Sequence, residues 1–161
     1  MAKGSAGHFE GNSDRDGRLR MPAGRCGEMP RRRARTGTDA GRAPRIVAAA
    51  YTYNKENEKI TTNYALDARS ASLVIQGSIE GATPVVSPNT GRLRTVGPLG
   101  AGGFEQASFD ISDLTNTGFA ALTRDGASGS QWYVIDLASG KATALGAIGI
   151  RETVVGIAIE P

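Results

Sequence analysis

The fold is decided by a stretch near the C-terminus, residues 132–149, which reads WYVIDLASGKATALGAIG. Two β-prone runs flank a turn in which Asp136 can accept backbone N–H groups and Gly140 can take a positive φ. An earlier stretch, residues 83–100 (TPVVSPNTGRLRTVGPLG), aligns with it without gaps at an offset of 49, and four of the 18 positions are identical. A repeat period in this range, with about four strands per repeat, is typical of β-propeller blades.

Three of the four identities are glycines, which suggests that the turns recur with the strands. The identical pairs are Val85 with Val134, Gly91 with Gly140, Gly97 with Gly146 and Gly100 with Gly149. A weaker third copy aligns residues 64–70 with 133–139 and places Asp67 opposite Asp136.

Short β-prone runs, separated by turn residues, continue outward from this repeat. No window longer than ten residues shows a helical apolar stripe, so the sequence predicts an all-β fold. Antiparallel, propeller-like blades are expected, about two to three of them in this chain. The run at 154–159 is apolar on both faces, which predicts a strand covered on both sides. The predicted strands are 46–54, 61–67, 72–76, 84–87, 93–96, 107–111, 118–123, 131–137, 142–145 and 154–159.

The composition changes abruptly near Ile46, so we divide the chain into a tail, 1–45, and a β-repeat module, 46–161. The tail is rich in Gly, Arg and Ala and poor in large apolar residues, which predicts disorder. Its RRRAR cluster at 31–35 could be a nucleic-acid arm, although a solvated run without function is the simpler interpretation. We favour a third interpretation, in which the segment is not the natural N-terminus.

Charge is distributed unequally between these two parts. Residues 1–45 contain eleven Lys and Arg against five Asp and Glu, whereas residues 46–161 contain eight against eleven. The module is therefore mildly acidic, and nucleic-acid binding through the folded part is not expected. No apolar run approaches the length of a membrane span, and the first 20 residues contain no apolar stretch of the kind a secretory signal needs.

The strands and turns resemble a known family. The resemblance rests on residues 66–76, 90–100 with its TVGPLG segment, 109–111, and 133–143 with its YxIDxxSG segment, closing at 155–158. Together these are similar to the bacterial domain of unknown function 4394, a propeller-like repeat family, over roughly 46–161. The resemblance implies an exported or cell-surface location and supplies no catalytic or binding residues.

Candidate catalytic and metal-binding residues are few. His8 is the only histidine and Cys26 the only cysteine, and both lie in the tail, so a histidine-dependent triad, an intramolecular disulfide or a thiolate zinc site is not expected. Paired carboxylates suffice for glycoside hydrolysis, and Asp110 with Asp113 could hold calcium. Asp67 and Asp136 lie beside turns, which favours structural caps. The carboxylate candidates in the module are Asp110, Asp113, Asp125 and Asp136.

Two further motifs have structural explanations. Residues 100–103 (GAGG) are glycine-rich, but no Lys-Ser or Lys-Thr pair and no helix follows, so a connection is favoured over a phosphate-binding loop. Trp132 and Tyr133 could stack on a sugar ring, but adjacent strand residues point to opposite faces, so only one could do so and core packing is favoured.

The sequence therefore predicts a propeller-like binding or structural module that is not an enzyme. No catalytic, cofactor-binding or metal residues are assigned, and no cofactor is expected. No partner is identified, and we expect either self-association that completes the propeller or an aggregation-prone fragment. Two alternatives stay open: a calcium-dependent protein that binds or processes glycans, and a truncated gene product without independent function.

Overall fold

The computed structural model describes residues 35–36, 41, 43–57, 59–149 and 151–159. All of them lie within one unit, Arg32–Pro161. Among these residues the regular secondary structure consists of β-strands and one 3-10 turn, Pro88–Thr90. The all-β prediction is therefore confirmed. The strands are β1 (Arg35–Thr36), β2 (Ile46–Tyr51), β3 (Asn63–Asp67), β4 (Ser72–Gln76), β5 (Leu93–Pro98), β6 (Phe104–Ile111), β7 (Gly118–Arg124), β8 (Gln131–Ile135) and β9 (Ala142–Ala147).

Two four-stranded antiparallel sheets follow one another along the chain. The first contains β2 to β5 and the second β6 to β9, each with neighbouring strands in chain order. The short strand β1 adds to the edge of the first sheet, parallel to β5. Arg35 and Thr36 are therefore paired, in contrast to the disorder predicted for residues 1–45. The other tail features, His8, Cys26 and residues 31–34, lie outside the described residues.

The two sheets share one apolar core. β2 lies against β6, and the largest buried cluster draws residues from both sheets. In the first sheet these include Leu66 and Leu73, and in the second Phe109 and Tyr133. Small residues allow this close packing: Ala120 is fully buried, and a Cβ at Gly118 would lie 3.1 Å from both Phe109 and Leu137.

Two of the ten predicted strands are wrong. Residues 84–87 form an irregular connection that begins with a cis bond between Thr83 and Pro84, and Val85 is 81% exposed. Residues 154–159 form no strand either, and Val155 is 91% exposed. An apolar run becomes a strand only when a neighbouring backbone supplies hydrogen bonds. Residues 84–87 receive one such bond, from the Ser78 N–H to the Val86 carbonyl at 2.9 Å, and residues 154–159 receive none from another backbone among the described residues.

Candidate functional site

Two of the predicted turns have the same hydrogen bonds. Asp136 Oδ1 accepts the Ala138 N–H at 3.0 Å, and its Oδ2 accepts the Ser139 hydroxyl at 2.5 Å. Gly140 closes the turn with φ of +81°. The turn after β3 repeats this pattern, because Asp67 accepts from the Arg69 N–H at 2.9 Å and from the Ser70 hydroxyl at 3.1 Å.

The two turns nevertheless occupy different places in their sheets. The Asp67 turn joins β3 to β4, whereas the Asp136 turn joins β8 to β9. Asp67 is fully buried and also accepts the Arg45 N–H at 2.9 Å, while Asp136 is exposed. The Ser139 hydroxyl and the Ala138 N–H stabilise the Asp136 carboxylate and lower its pKa from 3.8. Both carboxylates thus have the structural use that the turn interpretation predicted.

The repeat at an offset of 49 coincides with a shared bulge in the last strand of each sheet. Along β5 the pairing with β4 skips Val96, and along β9 the pairing with β8 skips Leu145. The glycines that follow, Gly97 and Gly146, are therefore in matching positions. Both Gly91 and Gly140, which precede these strands, have left-handed φ values of +67° and +81°.

These matching positions have different surroundings. A Cβ at Gly97 would lie 2.1 Å from the Ser139 carbonyl oxygen, so the turn of the second sheet packs directly on the backbone of the first. The Leu99 carbonyl accepts the Ala142 N–H at 2.9 Å and ties the sheets together. At Gly146, by contrast, a Cβ would meet nothing within 4 Å among the described residues. The position that the first sheet buries at Gly97 is thus open at its counterpart in the second sheet.

Apolar side chains surround this uncovered position on the outer face of the second sheet. Tyr133 points into the core, so its neighbour Trp132 points outward, where it stacks on Phe119 with 6.0 Å between ring centroids. Leu145 is 56% exposed. We call this surface, defined by Phe119, Trp132, Leu145 and Gly146, the outer face.

Residues 154–159 are tied to the second sheet by two hydrogen bonds, one at each end. Asp110 Oδ2 accepts the Ile159 N–H at 2.7 Å, and Ser130 Oγ accepts the Val154 N–H at 2.9 Å. The other oxygen of Asp110 accepts the Ile111 N–H at 2.9 Å. Asp110 therefore anchors backbone, and it does not line the cleft that holds Asp113.

A polar cleft of about 400 Å³ is the one place in the described structure where a predicted carboxylate meets others. The loops after β2, β4 and β6 converge here, and they bring Asp113 together with Glu56 and Glu80. Asp125 and Asp136 lie elsewhere, Asp125 beside Gly103 and Asp136 in its turn. The lining residues are Tyr53, Asn54, Lys55, Glu56, Glu80, Asp113, Leu114 and Asn116.

Asparagine side chains set the shape of the cleft. Asn116, in the left-handed region with φ of +51°, accepts the Tyr53 N–H at 3.0 Å and donates to the Tyr53 carbonyl at 3.1 Å. It thereby fixes the loop after β6 to the end of β2. Asn54 accepts the Glu56 N–H at 2.8 Å and donates to the Glu80 carboxylate. The described lining includes three carboxylates and one lysine, so the cleft is acidic and rich in hydrogen-bond acceptors.

Sequence reasoning found Asp113 but missed the rest of the cleft. Glu56 lies just after the predicted strand 46–54, and Glu80 lies in a long connection, and neither belongs to a motif. Among the described residues, no three His, Cys, Asp or Glu side chains come together as metal ligands would. Nor does any described segment form a helix with the length and apolarity that a membrane crossing requires.

The protein is an all-β protein in which two four-stranded antiparallel sheets pack on a shared core. Asp-Ser turns connect strands within each sheet, and Gly97 lets the turn of the second sheet pack on the first. Within this class the chain belongs to the family described as a domain of unknown function (DUF4394), whose model matches residues 12–158. The predicted resemblance to this family is thereby confirmed. The match begins inside the segment assigned to the tail. No curated protein and no solved structure matches the chain.

Proposed function

We propose that the chain is a propeller-like β-sheet module without catalytic activity, which acts as a scaffold that binds further sheets. The observation that carries this proposal is the repeated contact surface. The turn of the second sheet packs on Gly97, and the backbone of the second sheet hydrogen-bonds to Leu99. Among the described residues, the matching Gly146 is open and the matching Ile148 is partly exposed. A sheet of the same build fits the outer face in the way the second sheet fits the first.

Another copy of this chain is the partner that we propose for the outer face. The face carries stacked aromatic rings and an exposed leucine, and contiguous apolar surface of this kind favours association. Beyond Ala142, which donates to Leu99, the edge of β9 has no further strand beside it among the described residues, and such an edge can pair with another chain.

Sedimentation of the full chain over a range of concentrations tests the scaffold proposal. We expect mass to rise with concentration, and Leu145→Asp to reduce this association. Leu114→Asp is the matched control, because Leu114 is also 56% exposed but lies on the loop after β6. A monomer at all concentrations, or an equal effect of both substitutions, contradicts the proposal.

A second candidate function, glycan binding, is favoured by the polar cleft. Carboxylate and amide oxygens accept hydrogen bonds from sugar hydroxyls, and Tyr53 offers a ring against which a sugar can pack. This function requires no chemistry at the carboxylates.

Calorimetric titration with a panel of neutral oligosaccharides tests the glycan candidate, with and without calcium. Asp113→Asn should weaken binding several-fold, whereas Asp125→Asn, an exposed carboxylate outside the cleft, should leave it unchanged. Hydrolysis of the sugar during titration would contradict the absence of catalysis, and binding unaffected by Asp113→Asn would place the ligand elsewhere.

A further inference from the structure

A second pocket, distinct from the acidic cleft, lies between the β7–β8 loop and the chain that follows β9. It has a volume of about 370 Å³, within the range of small-ligand sites. Its apolar lining includes the buried Leu122, and its rim includes Ser128 and Gln131. Arg124 and Arg151 both line the pocket, and they come from different segments. Arg124 is the last residue of β7, and Arg151 lies in the chain after β9.

The backbone around this pocket is fixed by specific hydrogen bonds. The Ala127 N–H donates to the Arg124 carbonyl at 3.0 Å and closes the turn at the start of the loop. Ser130 is buried, shares a 2.8 Å hydrogen bond with the Thr123 hydroxyl, and its carbonyl accepts the Ile148 N–H at 3.0 Å. Ser130 therefore connects the β7–β8 loop to the chain that follows β9.

Charge is the unusual feature of this pocket. The module 46–161 is acidic by three charges, yet among the described residues two arginines and no carboxylate line the pocket. Asp125 and Glu152 are adjacent to the arginines in sequence but do not line it, and the Asp125 carboxylate lies beside Gly103. Among the described residues, neither guanidinium forms an ion pair or a hydrogen bond.

Both arginines are exposed, so water screens the repulsion between them, and an anion in the pocket is attracted to both charges. The planar guanidinium fork matches the oxygens of carboxylate and phosphate groups, and the serine hydroxyl on the rim adds a neutral donor. We propose that this pocket binds the oxyanion group, carboxylate or phosphate, of a small ligand, with Arg124 and Arg151 as its binding residues. This site shares no lining residue with the acidic cleft, but it shares Ile148 with the contact surface proposed for a further sheet.

Amide chemical shifts of the full chain, followed during titration with inorganic phosphate and with glucuronate at constant ionic strength, test the proposal. We expect saturable shifts at residues 127–131 and at Arg151 with at least one of the two anions. Saturation by phosphate alone identifies a phosphorylated ligand, and saturation by glucuronate alone identifies an acidic sugar.

Paired variants separate specific binding from general charge attraction. The double variant Arg124→Gln, Arg151→Gln should bind roughly tenfold more weakly or not at all, since it lacks both charge-assisted contacts. The control, Arg69→Gln with Arg92→Gln, removes the same charge from exposed positions outside the pocket and should bind normally. Equal weakening in both double variants, or shifts that never saturate with either anion, overturns the proposal.

Discussion

At the residue scale, the same side chain serves different purposes according to its burial. Asp67 and Asp136 accept nearly the same hydrogen bonds, but Asp67 also holds the Arg45 N–H and is fully buried. The sequence pattern predicted both as turn residues, because an aspartate can cap the amides that follow it. Only the packed structure distinguishes the buried carboxylate from the exposed one.

Gly140 should be more sensitive to substitution than its neighbour Lys141. Gly140→Val places a β-branched residue at φ of +81°, and its Cβ would lie 2.7 Å from the Gly97 carbonyl oxygen. Backbone strain alone should lower the free energy of unfolding by about 1–2 kcal/mol, and the clash should lower it further. Lys141→Ala should stay within about 0.5 kcal/mol. Urea unfolding measures both, and equal losses would contradict the cross-sheet contact.

In acid, the ionised Asp136 carboxylate should cease to contribute to the free energy of unfolding. Its folded pKa is lowered from 3.8, so the folded state binds fewer protons than the unfolded state near that pH. The stabilisation is therefore complete above the unfolded pKa and is lost as pH falls through the folded pKa. The difference in unfolding free energy between the native chain and Asp136→Asn should shrink from pH 7 toward strong acid.

A Ser139→Ala background provides the control for this pH dependence. It removes the hydroxyl that most lowers the Asp136 pKa, so the change with pH should become smaller. A difference that stays constant over the whole pH range would show that the carboxylate charge does not contribute.

At the element scale, alternation and turn chemistry predicted eight strands in their observed places, and they failed for two apolar runs. β4 was predicted with its observed ends, because turns bound it on both sides and its partners are near in sequence. Residues 154–159 also form an apolar run, but among the described residues only side chains, and no neighbouring backbone, hydrogen-bond to them. Their anchors, Asp110 and Ser130, lie 49 and 24 positions away, and no local pattern specifies such contacts.

The Asp110 anchor should control hydrogen exchange at the end of this segment. Asp110→Ala removes the acceptor of the Ile159 N–H, so Ile159 should exchange substantially faster, while Val154, held by Ser130, should change little. Asp113→Ala is the control and should leave both amides unchanged. Unaltered exchange at Ile159 after Asp110→Ala would show that other contacts hold the segment.

At the scale of the whole molecule, charge divides the chain more sharply than its total suggests. The net charge of +3 is the sum of +6 over residues 1–45 and −3 over residues 46–161. The folded part therefore gains no counterion-release energy from a phosphate backbone as a whole, even though one pocket is locally basic.

Replacement of Arg31, Arg32, Arg33 and Arg35 by serine should abolish any binding of the full chain to duplex DNA or RNA. Binding driven by these arginines should also weaken steeply with salt. Fluorescence anisotropy with labelled duplexes measures both effects. Retention of salt-sensitive binding by the substituted chain would place a nucleic-acid surface on the module instead.

The candidate sites were predictable only in part. Asp113 was recognisable as a carboxylate near the end of a strand, but Glu56 and Glu80 join it through two other loops. The arginine pocket had no sequence signal, because Arg124 and Arg151 are separated by a hairpin and belong to no motif. Residues gathered from different loops become neighbours only when the sheets are in place.

The sequence alone determined the all-β class, most strand positions, the Asp-Ser turns and the glycines at matching repeat positions. These features depend on contacts between residues close in the chain, where period-2 alternation and backbone preference act directly. Tertiary structure alone decided which copy of the repeat is buried. The Ser139 turn packs on Gly97, whereas no described residue packs on Gly146, because burial depends on whether another sheet occupies the space beside each strand.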